Sequence, residues 1–459
     1  MTPHENGNDN DDDRPAPGVG YLLIGGPLVG SRVRDTRLAN ELVRRGRPGH
    51  AWWAMDRPDE SGLDPAIGQD WLFHSSRNAA NLHGPTMERV GRLLARTTSD
   101  ARREAFSQKR SWFLARQLRH LVQRVCAGVE TDPGLIRRFA RQIDAARVGH
   151  LLPNLAIFAP FAAAAIRRTR AAVRYTVTFQ GYELYSRYAR EIGLEKRLFQ
   201  RFREAVEASH TPAVAVSEDY RRRVHDEVGV PLENLVVVPP GVPEETPLPG
   251  ARARELVAAA LPAYDPGLPL IAYLGRRDSE KGIDLLLYAA RLLRARGAGV
   301  PPFQIAVCGG TAFGGEYATV LRQLADQLGV PVLWHGRMSH ELRTALFQTC
   351  HATVYPSVHR EPFGMVPVES MMLGTPAVVA DTGGVSELVA GPDENGAEIR
   401  GGLAFRSWDS ADLAEKLASL LADAPLHARL RAAAPGLARR YSVARLADRT
   451  LELIDGATE

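Results

Sequence analysis

Glu361-Pro-Phe-Gly-Met-Val-Pro-Val-Glu369 is the most informative stretch of this chain, because it holds two carboxylates with seven residues between them. The apolar run at 352–356 predicts a buried strand before it, and residues 366–373 predict a helix. Glu361 then lies on the connecting loop and Glu369 lies in the helix. Both side chains are expected to face one crevice at the carboxyl end of a strand, where open α/β sheets bind ligands.

The two carboxylates suit a ligand that is rich in hydroxyl groups, because ionised carboxylates accept hydrogen bonds from hydroxyls such as those of a hexose or a ribose. The helix N-terminus between them offers free N–H groups and a positive dipole end, which suit a phosphate. Glutamates at this spacing also occur by chance in many helical proteins. The Pro-Phe-Gly sequence directly after Glu361 distinguishes this pair from such cases.

The whole motif resembles the EX7E signature of the retaining glycosyltransferases of family 4, whose architecture is the GT-B fold. The resemblance implies an α/β protein with two Rossmann-like, doubly wound domains that face an interdomain cleft. It also implies a nucleoside-diphosphate sugar as donor. Glu361 is then expected on the sugar hydroxyls and Glu369 on the ribose, with the backbone of Phe363, Gly364 and Met365 nearby.

A second motif follows the predicted strand at 270–274, where Gly275-Arg276-Arg-Asp-Ser-Glu-Lys281-Gly282 leads into a helical run at 283–293. Strand, basic glycine loop and helix together predict a diphosphate site. Gly275 lets the backbone come close, Arg276 can form paired hydrogen bonds with phosphate oxygens, and Lys281 adds a compact charge. A solvated basic turn is the alternative. In the family the matching Arg and Lys bind the diphosphate, so Arg276, Lys281 and Glu361 are the predicted catalytic residues.

Strands and helices alternate through the rest of the carboxyl-terminal half, which predicts a parallel sheet with helices on both faces. By resemblance, the loop at 336–338 borders the nucleotide base, and this makes Arg337 and Met338 candidates for donor binding. Glu387 follows a glycine pair that matches the family. Structural support is its predicted role, with donor contact as the alternative.

The amino-terminal half opens with a predicted strand and a glycine loop that contains Gly25 and Gly26, followed by a helix from about 35 to 45 and a strand near 50–55. The glycines do not follow the G-x-G-x-x-G pattern, so a nicotinamide enzyme is a weak alternative. In the family this loop faces the cleft close to donor and acceptor. Gly25 and Gly26 are therefore cleft candidates, and a tight turn is their alternative role.

Two further residues are candidates for the acceptor side of the cleft. Gln180 ends a predicted strand where many relatives of the family carry a histidine, so a histidine role cannot be carried over to this position. His150 follows a plausible strand and is a second candidate. A lone histidine is more often a packed structural residue, and that alternative stays open for His150.

The length of 459 residues suits two domains of about 200 residues each, and 45% hydrophobic with 24% charged residues is ordinary for a globular protein. We expect a disordered acidic tail at 1–13 and an acceptor-binding domain at 14–243. A donor-binding domain is expected at 244–440. By resemblance, residues 441–459 form a helix that packs back on the amino-terminal domain.

The sequence predicts a cytoplasmic protein that needs no metal ion. Its best apolar stretch, 151–166, is shorter than the roughly 18 residues of a membrane span and contains two prolines. Cys126, Cys308 and Cys350 are scattered without metal-ligand spacing, which is typical of reduced thiols. The basic loop at Arg276 and Lys281 makes a divalent cation unnecessary, and no cofactor beyond the donor is expected.

Charge is distributed unevenly along the chain. Residues 1–240 hold 36 Lys and Arg against 28 Asp and Glu, whereas residues 241–459 hold 21 against 25. A basic acceptor-binding half favours an anionic acceptor or peripheral contact with the inner face of an anionic membrane. Nucleic acid is not expected, because no recognition motif accompanies the charge. One predicted helix holds much of the positive charge, for which a solvated amphipathic helix is the alternative: Arg102, Arg103, Lys109, Arg110, Arg116, Arg119 and Arg124.

Two other kinds of protein would share these motifs. A non-catalytic relative could bind a sugar nucleotide or serve as a partner subunit, although the intact motif residues favour a catalyst. An enzyme of the same fold with other chemistry, such as a sugar-nucleotide epimerase or a phosphorylase, is the second alternative.

Overall fold

The computed structural model describes residues 17–24, 29–54, 61–73, 118–209, 211–310, 316–393 and 396–456. Within these ranges the strands are, in chain order, β1 Gly18–Ile24, β2 Gly49–Ala54, β3 Gly68–Phe73, β4 Val148–Pro153, β5 Arg174–Tyr175, β6 Thr178–Phe179, β7 Ala213–Ala215, β8 Leu235–Val237, β9 Leu270–Leu274, β10 Gln304–Cys308, β11 Val332–His335, β12 Ala352–Tyr355, β13 Ala377–Ala380, β14 Ala390–Pro392, β15 Glu398–Arg400 and β16 Gly402–Phe405.

The α-helices alternate with these strands, as the hydrophobic pattern predicts. Their bounds are Val29–Arg44, Pro133–Ala146, Ala159–Ile166, Glu183–Glu191, Glu195–Glu207, Glu218–Arg223, Gly250–Ala260, Ile283–Ala295, Glu316–Leu328, His340–Thr349, Met365–Met372, Ser410–Ala422, Ala424–Arg439 and Val443–Asp455. Residues 118–127 are also helical.

The amino-terminal half forms a parallel sheet in the order β3-β2-β1-β4-β5, next to a second parallel sheet in the order β6-β7-β8. The two sheets meet where β5 and β6 follow each other along the chain. Trp52 and Trp53 are adjacent on β2 and belong to different hydrophobic clusters, although both are fully buried. Since neighbouring residues of a strand point to opposite faces, this sheet is covered on both sides, as parallel sheets require.

The carboxyl-terminal half forms a six-stranded sheet in the order β11-β10-β9-β12-β13-β16, and every pairing in it is parallel. Ile271 and Tyr273 on β9 face one hydrophobic cluster, while Leu270, Ala272 and Leu274 face another. The order in which the chain adds strands reverses between β9 and β12, although all strands stay parallel. In open α/β sheets such a switch point leaves a crevice at the carboxyl ends of the strands, and both sequence motifs follow these two strands.

The chain passes between the two halves at two neighbouring points. The backbone N–H of Val242 donates to the carbonyl of Tyr441 at 2.8 Å, and that of Val443 donates to the carbonyl of Val242 at 3.1 Å. The last helix, Val443–Asp455, then lies against the helix Val29–Arg44, where Arg45 forms an ion pair with Asp448 at 2.6 Å. The exact domain boundaries stay predictions.

Some predictions concern residues outside the described ranges, and others differ from the structure. The acidic tail at 1–13 lies outside the described residues, as do Gly25 and Gly26. The first helix begins at Val29, earlier than the expected start near 35. Glu387 lies in a 3-10 turn, Gly383–Leu388. None of the described helices is both long enough and apolar enough to span a membrane.

Candidate functional site

The two sequence motifs meet at Lys281 and Glu361. Lys281 ends a 3-10 turn after β9, and its ammonium group forms a short ion pair with the Glu361 carboxylate. Both side chains are largely buried. The hydroxyl of Ser357 donates to the same carboxylate oxygen of Glu361 at 2.8 Å. Residues 80 positions apart therefore share one site at the carboxyl ends of β9 and β12.

Gly282 makes this approach sterically feasible. Its φ is +62°, a left-handed conformation that residues with a side chain rarely adopt. A Cβ at this position would lie 2.1 Å from the carbonyl oxygen of Pro356, which follows β12. The motif glycine thus allows the turn that carries Lys281 to pack against the chain that leads to Glu361.

Arg276 belongs to the same charged group. Its guanidinium contacts Asp278 at 2.5 Å and Glu280 at 2.5 Å, and the Lys281 ammonium lies 3.6 Å from Glu280. Burial lowers the pKa of Lys281, but Tyr355 and Glu361 raise it more, and the net pKa lies above its usual value. Lys281 is therefore a cation at neutral pH. Burial also raises the pKa of Tyr355, to about 12.

Glu369, the second motif glutamate, is held between the two domains. One of its oxygens accepts a hydrogen bond from Arg37 at 2.9 Å, and the other lies 3.6 Å from Arg343. Arg37 also donates to the carbonyl of Gly241 at 3.1 Å. Arg37 comes from the first helix of the amino-terminal domain, and sequence reasoning missed it because no local pattern links it to Glu369.

The side chains between the two glutamates mainly pack against neighbouring residues. Phe363 is buried and packs edge-on against Tyr441, with ring centres 5.4 Å apart. Gly364 has a φ of +151°, and a Cβ there would lie 2.9 Å from Val385. The sulfur of Met365 lies 3.8 Å from Arg37. Any donor contact from Phe363 or Gly364 must therefore come from the backbone.

The loops after β9, β10 and β11 also lie side by side. The N–H of Gly275 donates to the carbonyl of Cys308 at 3.0 Å, and the N–H of Gly309 donates to the carbonyl of Gly336 at 2.9 Å. The Arg337 side chain lies over Gly310, where an added Cβ would be 3.4 Å away. Met338 is partly buried against the cluster that contains Leu274 and Cys308. Gly275, Arg337 and Met338 thus border the same edge of the sheet.

On the amino-terminal side, Gln180 belongs to a buried polar group. Its side-chain amide donates to Asp35 at 2.9 Å and to the backbone carbonyl of Asn154 at 2.8 Å. The Asn154 side chain also donates to Asp35, and Arg34 pairs with Asp35 at 2.6 Å. Burial raises the pKa of the Asp35 carboxyl, although Arg34 and the hydrogen bonds lower it in part.

Sequence reasoning missed Asp35 and Asn154. Asn154 directly follows β4, and Gln180 directly follows β6. This shared position at the carboxyl end of a strand could have indicated that Asn154 belongs to the site. His150 was placed differently from the expectation, which had it after the strand. It lies within β4, is buried, and its Nε2 is 2.8 Å from the hydroxyl of Thr176. The structure therefore places Gln180, but not His150, in the Asp35 group.

The predicted basic helix is described only in part, because residues 74–117 lie outside the described ranges. Of its arginines, Arg119 pairs with Glu191 at 2.6 Å and Arg124 pairs with Asp132 at 2.5 Å.

The three cysteines are buried free thiols, and burial raises the pKa of Cys308 and of Cys350 to about 12. Within the described part of the chain, no His, Cys, Asp and Glu side chains are grouped as a metal ion requires.

Two doubly wound parallel domains, with charged residues at the carboxyl ends of the second sheet, define the GT-B class. Among solved structures, sucrose-phosphate synthase from Thermosynechococcus elongatus matches 96% of this chain with a TM-score of 0.68 and 17% identity, over 98% of its own chain. Anabaena Alr3699/HepE, solved in complex with UDP-glucose, matches 96% of this chain with a TM-score of 0.66 and 16% identity, over its full length. The predicted GT-B fold is confirmed.

Residues 262–436 match the family model of the glycosyl transferases group 1. A D-inositol 3-phosphate glycosyltransferase of Nocardiopsis dassonvillei is 31% identical over 249 residues, which are 53% of this chain and 56% of that protein. One from Frankia alni is 34% identical over 243 residues, 52% of this chain and 57% of that protein. The chain thus spans about half the length of the curated relatives that it matches.

Proposed function

We propose that this protein is a retaining glycosyltransferase that moves a hexosyl group from a nucleoside-diphosphate sugar to an acceptor hydroxyl. The observation that carries the proposal is the contact between Lys281 and Glu361. It joins the loop expected to bind the diphosphate to the glutamate expected to bind the sugar. A single pocket can therefore hold the leaving group and the transferred group together.

Charge stabilisation of the leaving diphosphate is the main catalytic requirement in this proposal, because it departs from an oxocarbenium-like sugar. Arg276 and Lys281 supply that stabilisation. Their present partners are carboxylates of Asp278, Glu280 and Glu361. A bound diphosphate offers both cations an alternative anion. When Lys281 turns to the phosphate, Glu361 becomes available to accept hydrogen bonds from the sugar hydroxyls.

The acceptor hydroxyl is proposed to attack on the face that the leaving phosphate occupies. The phosphate then accepts the hydroxyl proton, which retains the anomeric configuration and removes the need for a strong side-chain base. No metal ion takes part in this scheme, in which Arg276 and Lys281 neutralise the phosphates. Glu369 is proposed to hold the ribose, sharing its carboxylate with Arg37 and Arg343.

For the acceptor, we propose an anionic compound bound at the amino-terminal domain. The excess of basic residues in the first half of the chain supports it. The relatives named as D-inositol 3-phosphate glycosyltransferases have an anionic compound in their names, which agrees with this choice. Gln180 and the buried group around Asp35 are proposed to border the acceptor. Peripheral contact with an anionic membrane is the second use proposed for the basic surface.

A thermal-shift panel of UDP, GDP, ADP and their sugar nucleotides tests the proposal first. A ligand present at about 100 times its dissociation constant adds about 2.7 kcal/mol to the free energy of unfolding. Each stabilising sugar nucleotide is then assayed for hydrolysis and for transfer to inositol phosphates, with the product anomer assigned by NMR.

Failure of every nucleotide to stabilise the protein contradicts the proposal. Stabilisation without hydrolysis or transfer supports the non-catalytic binder instead. Hydrolysis that persists in Arg276→Ala would show that the diphosphate site has been placed wrongly.

A further inference from the structure

The loop that carries Glu361 is held by a short segment of the opposite domain. Ser217 precedes the helix Glu218–Arg223 of the amino-terminal half, and its hydroxyl donates to the backbone carbonyl of Pro362 at 2.6 Å. Ser217 is almost completely buried. This contact lies one residue after Glu361, so it fixes the backbone at the point where the carboxylate is presented.

Asp219 contacts the residue on the other side of Glu361. Its carboxylate accepts hydrogen bonds from the Arg360 guanidinium at 2.5 Å from Nη2 and 3.1 Å from Nε. Paired hydrogen bonds of this kind fix direction as well as distance. The loop is therefore held from the amino-terminal domain at both neighbours of Glu361.

Glu387, from the donor domain, contacts the same segment of the amino-terminal domain that holds Ser217 and Asp219. Its carboxylate accepts hydrogen bonds from the backbone N–H groups of Glu218 at 3.1 Å and Asp219 at 2.6 Å. The adjacent glycines support the loop directly, since the N–H of Gly384 donates to the carbonyl of Glu361 at 2.8 Å. A Cβ on Gly384 would lie 2.2 Å from the Pro362 carbonyl oxygen and 2.3 Å from the Ser217 hydroxyl. Only a glycine leaves room for the contact between the domains.

We infer that Ser217 and Asp219 of the amino-terminal domain are positioning residues for Glu361. The inference rests on the proposed function, in which Glu361 holds the hydroxyls of the donor sugar. Arg276 and Lys281 reach the diphosphate from the donor domain alone. Binding of the sugar hydroxyls by Glu361, in contrast, requires that the two domains are in contact. Sugar recognition is therefore coupled to closure of the cleft, whereas diphosphate recognition is not.

The test compares Ser217→Ala and Asp219→Asn with Asp226→Asn, a control on the same segment whose side chain is exposed. Calorimetry measures the affinities for the sugar nucleotide that the wild-type protein turns over and for the matching nucleoside diphosphate, chosen from the UDP, GDP and ADP panel. We expect the two variants to keep the affinity for the nucleoside diphosphate within about twofold while kcat falls roughly three- to tenfold. The gain in affinity that the sugar gives over the nucleoside diphosphate alone is expected to fall by a similar factor. The control should match the wild type.

Ser217 also caps its helix by accepting from the N–H of Tyr220 at 3.1 Å, so Ser217→Ala alone can destabilise the protein. Asp219→Asn avoids this, and a double-mutant cycle with Arg360→Ala isolates the pair. Equal losses of affinity for the nucleoside diphosphate and for its sugar nucleotide, or unchanged kinetics in both variants, would overturn the inference.

A readout without ligand separates this inference from the proposed function. In the free protein, the backbone amides of residues 357–361, 363 and 364 should exchange with solvent faster in the two variants than in Asp226→Asn. If the wild type binds no nucleotide, the proposed function fails, and unchanged exchange in these amides then overturns the positioning role independently.

Discussion

The two sides of the cleft that are proposed to bind the donor and the acceptor are built in different ways. On the donor side, Arg276, Lys281 and Glu361 come from two motifs that are each continuous in sequence. On the acceptor side, Asp35, Asn154 and Gln180 come from three separate segments and are held mainly by hydrogen bonds around one buried carboxylate. In the proposed function, the donor side then provides charge for the reaction, while the acceptor side provides a fixed shape.

Lys281→Ala tests the donor side and should have the largest effect. In the proposed function, loss of the ammonium removes a cation from the departing diphosphate, and it leaves the largely buried Glu361 without its ion-pair partner. We expect a loss of about 1–3 kcal/mol of transition-state stabilisation, roughly ten- to a hundredfold or more in kcat/KM. Steady-state kinetics with Lys416→Ala as control measures it, since Lys416 pairs only with Asp412 among the described ion pairs. An unchanged rate would remove the diphosphate assignment.

Arg37→Ala tests whether the two sides act together. The variant deprives the buried Glu369 of its 2.9 Å partner from the other domain. We expect KM for the donor to rise about three- to tenfold and the free energy of unfolding to fall by about 1–3 kcal/mol. Arg44→Ala on the same helix is the control, because its side chain is 70% exposed. Equal behaviour of the two variants would show that Glu369 does not depend on the amino-terminal domain.

Gln180→Ala tests the acceptor side alone. Its amide donates to Asp35 and to the Asn154 carbonyl, so the substitution loosens this group without touching the charged residues of the donor loop. We expect KM for the acceptor to rise roughly threefold to tenfold, with little change in hydrolysis of the donor when no acceptor is present. Gln123→Ala, on an exposed position of the same domain, serves as control. A parallel loss of donor hydrolysis would mean that Gln180 contacts the donor instead.

The pH dependence of stability should show the smallest effect. Burial raises the pKa of Asp35, so the folded protein binds this proton more tightly than the unfolded chain does. The contribution of Asp35 to stability is then largest below its unfolded pKa of about 3.9, and it is lost as the pH rises through the folded pKa. The Asp35→Asn variant has no titratable carboxyl at this position, so it lacks this contribution at every pH.

Urea unfolding of both proteins from pH 4 to pH 7 measures this difference. The free energy of unfolding of the wild type minus that of Asp35→Asn should decrease with rising pH. An increase would indicate that Arg34 and the hydrogen bonds outweigh burial.

Sequence patterns predicted the alternating strands and helices and the meeting of the two donor motifs, because both depend on local order and on the parallel topology. Arg37 and Glu369 are 332 positions apart, and nothing near either residue indicates their contact. The same holds for Ser217 and Pro362. His150 was placed after its strand because a boundary of a few residues decides whether a side chain lies in the sheet or in the cleft. Contacts between domains depend on the tertiary structure, and the residues next to each partner in the sequence do not indicate them.

The paired crossings at Val242 and Ser442 have a mechanical consequence. Because these two residues form a parallel bridge, the connections between the domains lie side by side. A Cβ on Gly241 would come within 2.7 Å of the Cα of Val443, so little slack exists at this point. Two connections that lie side by side and closely packed restrict how far the halves can slide or twist relative to one another. Rearrangement of the cleft would then leave this point of the molecule nearly fixed.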